Sequence, residues 1–135
     1  MNTLTITELL ESRLATVATG LGLKVSYENV QFEPFDDIYL ESHVIPAKTN
    51  SIDLAGDSRV YVGVYQVNVV VKAGSGKSKA GKIANDIINA FPLNLELSRG
   101  DFTVYINSVP SAFPAVQGNA TYSIPVSMNY RSDNS

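Results

Sequence analysis

Residues 59–72 read RVYVGVYQVNVVVK, and this stretch decides the fold. Its odd-numbered positions, from Tyr61 to Val71, are all apolar or small, while its even-numbered positions begin apolar and then become mixed. Alternation with period two, in β-branched and aromatic residues, predicts a strand over Arg59–Lys72. One face of this strand must be buried, and the other face is apolar over only half its length, at Val60, Val62 and Val64.

An amphipathic helix follows this strand. Residues 77–91 place an apolar stripe opposite polar side chains, and Pro92 disfavours helical geometry at the residue before it. The stripe consists of Ala80, Ile83, Ala84, Ile87, Ile88 and Phe91. Between strand and helix lies a glycine-rich turn, Gly74–Ser78, surrounded by Lys72, Lys77, Lys79 and Lys82. These lysines either solvate a helix end or form a docking patch for an acidic partner.

The rest of the chain contains another helix and several shorter strands. Ile6, Leu10 and Leu14 follow helical spacing, which predicts a helix over residues 6–19 with Gly20 as its left-handed C-terminal cap. Extended segments are predicted over residues 23–28, 38–44, 93–97, 102–109 and 120–130, with a turn at 99–101, loops at 47–57 and 110–118, and a flexible tail at 131–135. Pro125 lacks an amide donor, so we expect it at a free edge or a bulge.

These elements predict an α+β fold: a two-layer domain with an antiparallel or mixed β-sheet and two α-helices packed on one face. The 135 residues suit one domain, residues 1–135. Because two helices cover only one face of the sheet, Val60, Val62 and Val64 on the other face would form an exposed patch unless a loop or a neighbouring subunit covers them. We therefore take Val60, Val62, Val64, Lys72, Lys77 and Lys79 as candidate interface residues.

The composition excludes several classes of protein. The chain has no cysteine, which excludes disulfides and thiolate metal sites. It has no apolar run long enough for a membrane span and no signal-peptide pattern. A net charge of −3 argues against nucleic-acid binding through phosphate neutralisation. The charged fraction is 17%, against about 25% in typical soluble domains, which favours a surface partly covered by another subunit over a neutral monomer surface.

No catalytic constellation is present in the sequence. The Gly74–Ser78 turn is similar to a nucleotide-binding loop, but the GxxxxGK[ST] pattern requires a glycine where Val71 stands. His43 is the only histidine and the chain has no cysteine, so the sequence argues against a zinc site and against a Ser-His-Asp triad. The carboxylates of Glu28, Glu33, Asp36, Asp37 and Glu41 lack the spacing of a calcium loop. We expect no enzyme activity, metal or cofactor; a nucleotide-binding protein is the alternative.

Four stretches carry a resemblance to a known family. They are YENVQFEP (27–34), IYLESHVIPA (38–47), the block VGVYQVNVVVKAGSGKSKAGKIANDIINAFP (62–92) and PVSMNYRS (125–132). Together they resemble the tail terminator, or tail completion, proteins of long-tailed bacteriophages and prophages, over nearly the whole chain. None of these stretches is a catalytic signature.

The resemblance implies a structural virion protein that forms a hexameric ring. Such a ring caps the tail tube, ends its polymerisation and offers a surface for head joining. The implied partners are further copies of the chain, the major tail tube protein and a head-completion or connector protein, with no membrane and no specific nucleic acid. The implied location is the head-proximal end of the tail, after assembly in the bacterial cytoplasm. Another head–tail connector or a tail-tube subunit is the alternative within the virion.

Overall fold

The structure, a computed structural model, describes residues 3–27, 38–47, 50–51, 59–72, 78–100, 102–112, 114, 116–117 and 121–134. These residues form two helices and nine strands. The helices are α1 (Thr3–Leu21) and α2 (Ser78–Ala90). The strands are β1 (Lys24–Ser26), β2 (Tyr39–Pro46), β3 (Asn50–Ser51), β4 (Arg59–Lys72), β5 (Glu96–Arg99), β6 (Phe102–Ile106), β7 (Ser111–Ala112), β8 (Val116–Gln117) and β9 (Thr121–Asn134).

The strands make one mixed sheet in the order β1-β2-β4-β9-β6-β5. The short strand β3 pairs with β4, and β7 and β8 both pair with β9. The pair β1–β2 is parallel, whereas the other strand pairs of the described residues are antiparallel. The predicted α+β fold with a mixed sheet is therefore confirmed.

Strands β4 and β9 form the centre of the sheet. They pair without interruption over fourteen residues, from Arg59 opposite Asn134 to Lys72 opposite Thr121. The predicted bounds of β4 are confirmed. The predicted flexible tail is wrong for residues 131–134, which continue β9. The backbone of this segment pairs with the first four residues of β4. In addition, the buried Ser132 donates a hydrogen bond from its Oγ to Thr103 O at 2.7 Å.

Both helices pack on one face of the sheet, which we call the inner face. Odd-numbered residues of β4, among them Tyr65, Val67 and Val69, are fully buried there. They pack in one core with α1 residues Ile6, Leu10, Leu14 and Ala18 and with α2 residues Ala80, Ile83, Ala84 and Ile87. The predicted apolar stripe of α2 is therefore confirmed in its buried members, and Ile88 lies at the edge of the core.

The end of α1 differs from the prediction by two residues. Gly20 lies inside the helix, and Gly22 is the residue with a positive φ, of 71°. Gly22 N donates to Thr19 O at 3.2 Å, and Leu23 N donates to Ala18 O at 2.9 Å. This pair of bonds satisfies the last carbonyls in the manner of a Schellman motif, so Gly22 and not Gly20 is the left-handed cap.

The predicted loops contain short strands. In residues 110–118, β7 and β8 pair with β9 where the sequence predicted an irregular loop. In residues 47–57, Asn50–Ser51 forms β3, and most of the remaining loop lies outside the described residues. Pairing with a neighbouring strand, which the sequence does not display, supplies the backbone hydrogen bonds of these short segments.

Pro125 lies in the central strand β9, opposite Asn68 of β4, and its predicted position at a free edge or a bulge concerns the other side of β9. Asn107 N donates to Asn129 O at 3.0 Å, so the odd-numbered residues of β9 direct their backbone groups away from β4. β7 pairs with residues 126–127 and β8 with residues 122–123. The residue that continues the register of β7 opposite Pro125 lies outside the described residues, so the free edge or bulge stays a prediction.

Candidate interaction surface

The face of the sheet opposite the helices carries the candidate surface, and we call it the outer face. Side chains alternate between the two faces of a strand. The even-numbered residues of β4 and the odd-numbered residues of β2 and β9 therefore point to the outer face, because their neighbours in the chain fill the core. The register sets Ile45 opposite Val64 and Asn68 opposite Glu41.

One end of the outer face carries apolar side chains on β2, β4 and β6, with the exposed Arg131 of β9 among them. Ile45 is 50% exposed and lies across from Val64, which is half-buried like Val62 on the same strand. Val62 pairs with Arg131, which in turn pairs with Tyr105, a side chain that is 37% exposed. We call Ile45, Val62, Val64 and Tyr105 the apolar end. Its aliphatic groups remain partly in contact with solvent, so covering them would be favourable.

The middle of the outer face is polar. Gln66 Nε2 donates to Asn68 Oδ1 at 2.9 Å, and Asn68 Nδ2 donates to Glu41 Oε1 at 3.1 Å. His43 Nε2 lies 3.9 Å from the same carboxylate oxygen. Burial, and secondly the charge of Glu41, raises the pKa of Tyr39 next to this group. These polar side chains therefore bond to one another, and they separate the apolar end from the far end of β4.

The structure describes five of the six candidate interface residues, and these five do not form one continuous surface. Val60 is only 5% exposed, so its own chain already covers it, while Val62 and Val64 are half-buried. Lys72 is exposed at the end of β4, eight residues or about 26 Å along the strand from Val64. Lys79 is exposed on α2, in the helical layer. Lys77 lies outside the described residues, as does most of the Gly74–Ser78 turn.

Sequence reasoning missed Ile45 and Tyr105. On the outer face of β2, three polar or aromatic residues come before the aliphatic Ile45. This change from polar to aliphatic side chains was the signal in the sequence that could have identified Ile45. Nothing in the sequence places Tyr105 in the same row as Val62, because β9 lies between their strands and the register of three strands sets that row.

The lysines near the start of α2 form a second charged feature. Lys72, Lys79 and Lys82 are exposed, and none of them forms an ion pair with any residue in the described part of the chain. By contrast, Arg99 pairs with Glu8, and the Arg13 guanidinium donates to Ala90 O from Nε at 3.1 Å and from Nη2 at 2.9 Å. α2 carries no acidic residue in its first turn, where a negative charge would be favourable.

A buried polar chain lies on the inner face, beneath α1. Ser42 Oγ donates to Glu11 Oε2 at 3.1 Å and lies 2.8 Å from Tyr65 Oη. Because the one hydroxyl proton of Ser42 is used on Glu11, the Tyr65 hydroxyl is the donor of the second bond. Burial raises the pKa of Tyr65. These two hydrogen bonds satisfy the buried hydroxyl groups of Ser42 and Tyr65, and they connect α1 to β2 and β4.

The described residues show no grouping typical of catalysis or metal binding. No set of three His, Asp or Glu side chains among them is placed to hold a metal ion. His43 lies on the outer face, away from Ser42, which points into the core. Neither helix in the described ranges is long and apolar enough to cross a membrane. The described residues define a small α+β protein whose outer face carries partly exposed apolar side chains at one end.

Comparison with known proteins identifies the family. A family model described as phage tail terminator protein matches residues 5–130, so the chain belongs to the phage tail terminator protein family. This is a family of structural proteins of the tail, not of enzymes, and it makes this chain a tail-related structural component of a virion. A comparison with curated proteins finds no match.

Solved structures share the fold. One, which carries no functional name, is 35% identical to this chain, with a TM-score of 0.83 over 98% of this chain and 96% of that chain. Another, described as the virion of a native gene transfer agent particle, is 19% identical, with a TM-score of 0.60 over 95% of this chain and 94% of that chain. At that identity, the second likeness shows the fold alone.

Proposed function

We propose that this protein forms a ring that caps the tail tube, ends its polymerisation and presents a surface for head joining. The family match over residues 5–130 carries this proposal. The proposed partners are further copies in a hexameric ring, the major tail tube protein and a head-completion or connector protein. The protein would assemble in the host cytoplasm and lie at the head-proximal end of the tail. The family match also supports a virion location.

Ring closure follows from the type of contact between neighbouring copies. A head-to-tail contact that closes by rotation gives a finite ring rather than a filament. Such a ring suits a protein that stops a polymer.

The apolar end is the proposed contact between copies. Val62 and Val64 lie in it with Ile45, whereas Val60 adds little area because it is already covered. Four partly buried side chains cover far less than the roughly 800 Å² per partner of a standard stable interface. We therefore expect the free subunit to be a monomer in dilute solution and to form the ring on the tube end. Lys72, Lys77 and Lys79 remain candidate contacts to a neighbouring copy or to the tube.

The decisive experiment combines light scattering with electron microscopy. Light scattering gives the oligomeric state of the free protein, and microscopy with purified tail tubes shows whether one ring lies at one end of each tube. Val62→Asp places a charge in the proposed contact and should block capping while leaving the circular dichroism spectrum unchanged. Ser127→Asp is the matched control, because Ser127 is also half-buried on the outer face but lies in its polar middle.

The outcomes separate the candidate functions. Normal capping by folded Val62→Asp protein would remove the apolar end from the proposal. Binding along the whole tube would identify a tail-tube component instead of a terminator, and binding only to head particles would identify a connector.

A further inference from the structure

The main strand order of the sheet ends in two different edge strands. In the described part of the chain, β1 pairs only with β2, and β5, at the opposite end of the order, pairs only with β6. The backbone amides and carbonyls on the outer side of an edge strand can pair with a strand of another chain. The residues whose backbone groups point out of the sheet therefore decide what each edge can bind.

At the β5 edge, the backbone groups of Glu96 and Ser98 point out of the sheet. Ile106 N donates to Leu95 O at 3.0 Å, so the odd-numbered residues of this segment direct their backbone groups to β6. The even-numbered residues alternate with these and direct their backbone groups away from β6. The side chain of Glu96 lies on the outer face, because it pairs with the partly exposed Tyr105.

At the β1 edge, the backbone groups of Val25 point out of the sheet. Ala47 N donates to Val62 O at 2.8 Å and continues the β2–β4 register. The odd-numbered residues of β2 therefore direct their backbone groups to β4, and the even-numbered residues direct theirs to β1. Leu40 is the partner of Val25 in the parallel pair, so it bonds to the residues on either side of Val25. The amide and carbonyl of Val25 are left on the far side of β1.

The two edges match in direction and in hydrogen bonding. β1 is parallel to β2, and four antiparallel pairs separate β2 from β5, so β1 and β5 run in the same direction. A parallel pair with Val25 opposite Leu97 satisfies the outward backbone groups of both strands. In this register, Val25 N donates to Glu96 O, and Ser98 N donates to Val25 O.

The same register also matches the side chains of the two edges. Val25 and Leu97 are both half-buried at the edge of the core, and the register brings them together on the inner face. Lys24 pairs with Tyr39, so it lies on the outer face, where the register places it beside Glu96. Both charged residues are exposed. Opposite charges at neighbouring positions of adjacent strands stabilise the pair.

We infer that β5 of one copy pairs in parallel with β1 of the next copy, so that the sheet continues from subunit to subunit around the ring. This inference rests on the proposed ring. Two different surfaces at opposite ends of one subunit give the head-to-tail contact that a closed ring requires. The Lys24 ammonium group has three donors, so it can bind Glu96 of the next copy in addition to contacts in its own chain. The apolar end, whose Tyr105 adjoins β5, adds area to this contact.

Cysteine cross-linking tests the pairing directly, because the chain contains no cysteine. The double variant carries Lys24→Cys and Glu96→Cys, whose thiols lie about 24 Å apart within one subunit, five strand spacings, and can meet only between copies. Oxidised on tail tubes, it should give a ladder of covalent oligomers on a non-reducing gel. Each single variant should stop at the dimer. Lys24→Cys combined with Asn89→Cys, exposed on α2, is the control and should give no ladder.

Charge exchange tests whether the contact is needed for capping. Lys24→Glu alone and Glu96→Lys alone should each cap tubes at least roughly tenfold less often than the wild type, because like charges meet at every contact. The variant with both changes should regain most of the capping, since every contact again pairs opposite charges. Circular dichroism spectra should show that all three variants are folded.

A proline substitution tests the backbone pairing. Ser98→Pro removes an amide that points out of the sheet, at an edge where proline is tolerated, and should block capping. Ser98→Ala keeps this amide and removes only the side-chain bond to Thr103. It is the matched control and should cap normally.

Other outcomes would overturn the inference. Absence of a ladder from the double cysteine variant would show that the two edges do not meet. If Ser98→Pro fails to cap although no ladder forms, the β5 edge binds another strand, such as one of the tube protein. If wild-type protein does not cap at all, the proposed function fails, and oxidation of the concentrated free double cysteine variant decides the pairing separately. A ladder would then support the pairing, and monomers alone would refute it.

Discussion

The hydroxyl group of Tyr65 lies inside the core, 2.8 Å from Ser42 Oγ, and gives the protein a pH-dependent stability. The pKa of tyrosine in an unfolded chain is about 10, and burial raises the pKa of Tyr65 in the folded state. Below pH 10 both states hold the proton and the contribution to stability is complete. Above pH 10 the unfolded state ionises first, so the free energy of unfolding falls by up to about 1.4 kcal/mol per pH unit.

Urea unfolding of Tyr65→Phe tests this effect. At pH 7 the variant should lose about 0.5–1.5 kcal/mol, the net value of one hydrogen bond. Between pH 10 and 11 it should lose less stability than the wild type, because one buried ionisable group is gone. Tyr105→Phe is the control, since it removes a partly exposed hydroxyl and should follow the wild type. Parallel pH profiles for wild type and Tyr65→Phe would contradict the assignment.

The Arg13 side chain binds the C-terminal end of α2 through two donors to Ala90 O. This contact satisfies a carbonyl that no helical amide reaches and places a positive charge at the negative end of the helix. Arg13→Met keeps most of the apolar stem and should lower the free energy of unfolding by about 1–3 kcal/mol. Arg99→Met removes the exposed ion pair to Glu8 and should cost less than about 1 kcal/mol. Equal losses in urea denaturation would argue against the capping role.

At the scale of an element, the last four residues of β9 belong to the sheet and contribute to its stability. Arg131 to Asn134 pair with Val62 to Arg59, and Ser132 is buried. A protein truncated after Tyr130 should lose at least about 2 kcal/mol of stability, because each ladder bond contributes about 0.5–1.5 kcal/mol. Ser132→Ala removes one side-chain bond only and should lose less. An unchanged urea midpoint after truncation would show that these residues behave as a tail.

At the scale of the whole molecule, we predict that the protein does not hydrolyse nucleotides. The Gly74–Ser78 turn does not match the phosphate-binding pattern, since Val71 occupies the position of its first glycine. We expect no ATP hydrolysis above background, and Lys77→Ala should leave any trace of turnover unchanged. Turnover that disappears in this variant would assign it to the protein itself and would reopen the nucleotide-binding alternative.

The sequence by itself determined the elements with strong local patterns. The bounds of β4 follow from alternation over fourteen residues, and the buried stripe of α2 follows from helical spacing ended by Pro92. Two amphipathic helices, whose apolar faces must be buried against a sheet, together with several strands, also determined the α+β class. In each case, the signal lies in residues that are neighbours in the chain, so it can be read without knowing the tertiary structure.

Only the tertiary structure decided the features that depend on distant residues. The strand character of residues 131–134 and of β7 and β8 comes from partners elsewhere in the sheet, and the contact of Arg13 with Ala90 joins two helices far apart in sequence. Gly20 and Gly22 are equally good sequence signals for a left-handed C-terminal cap, and only the position at which α1 ends shows that Gly22 is the cap. The apolar end combines Ile45, Val62 and Tyr105 from three strands, because strand order and register, which long-range contacts set, determine which side chains share a surface.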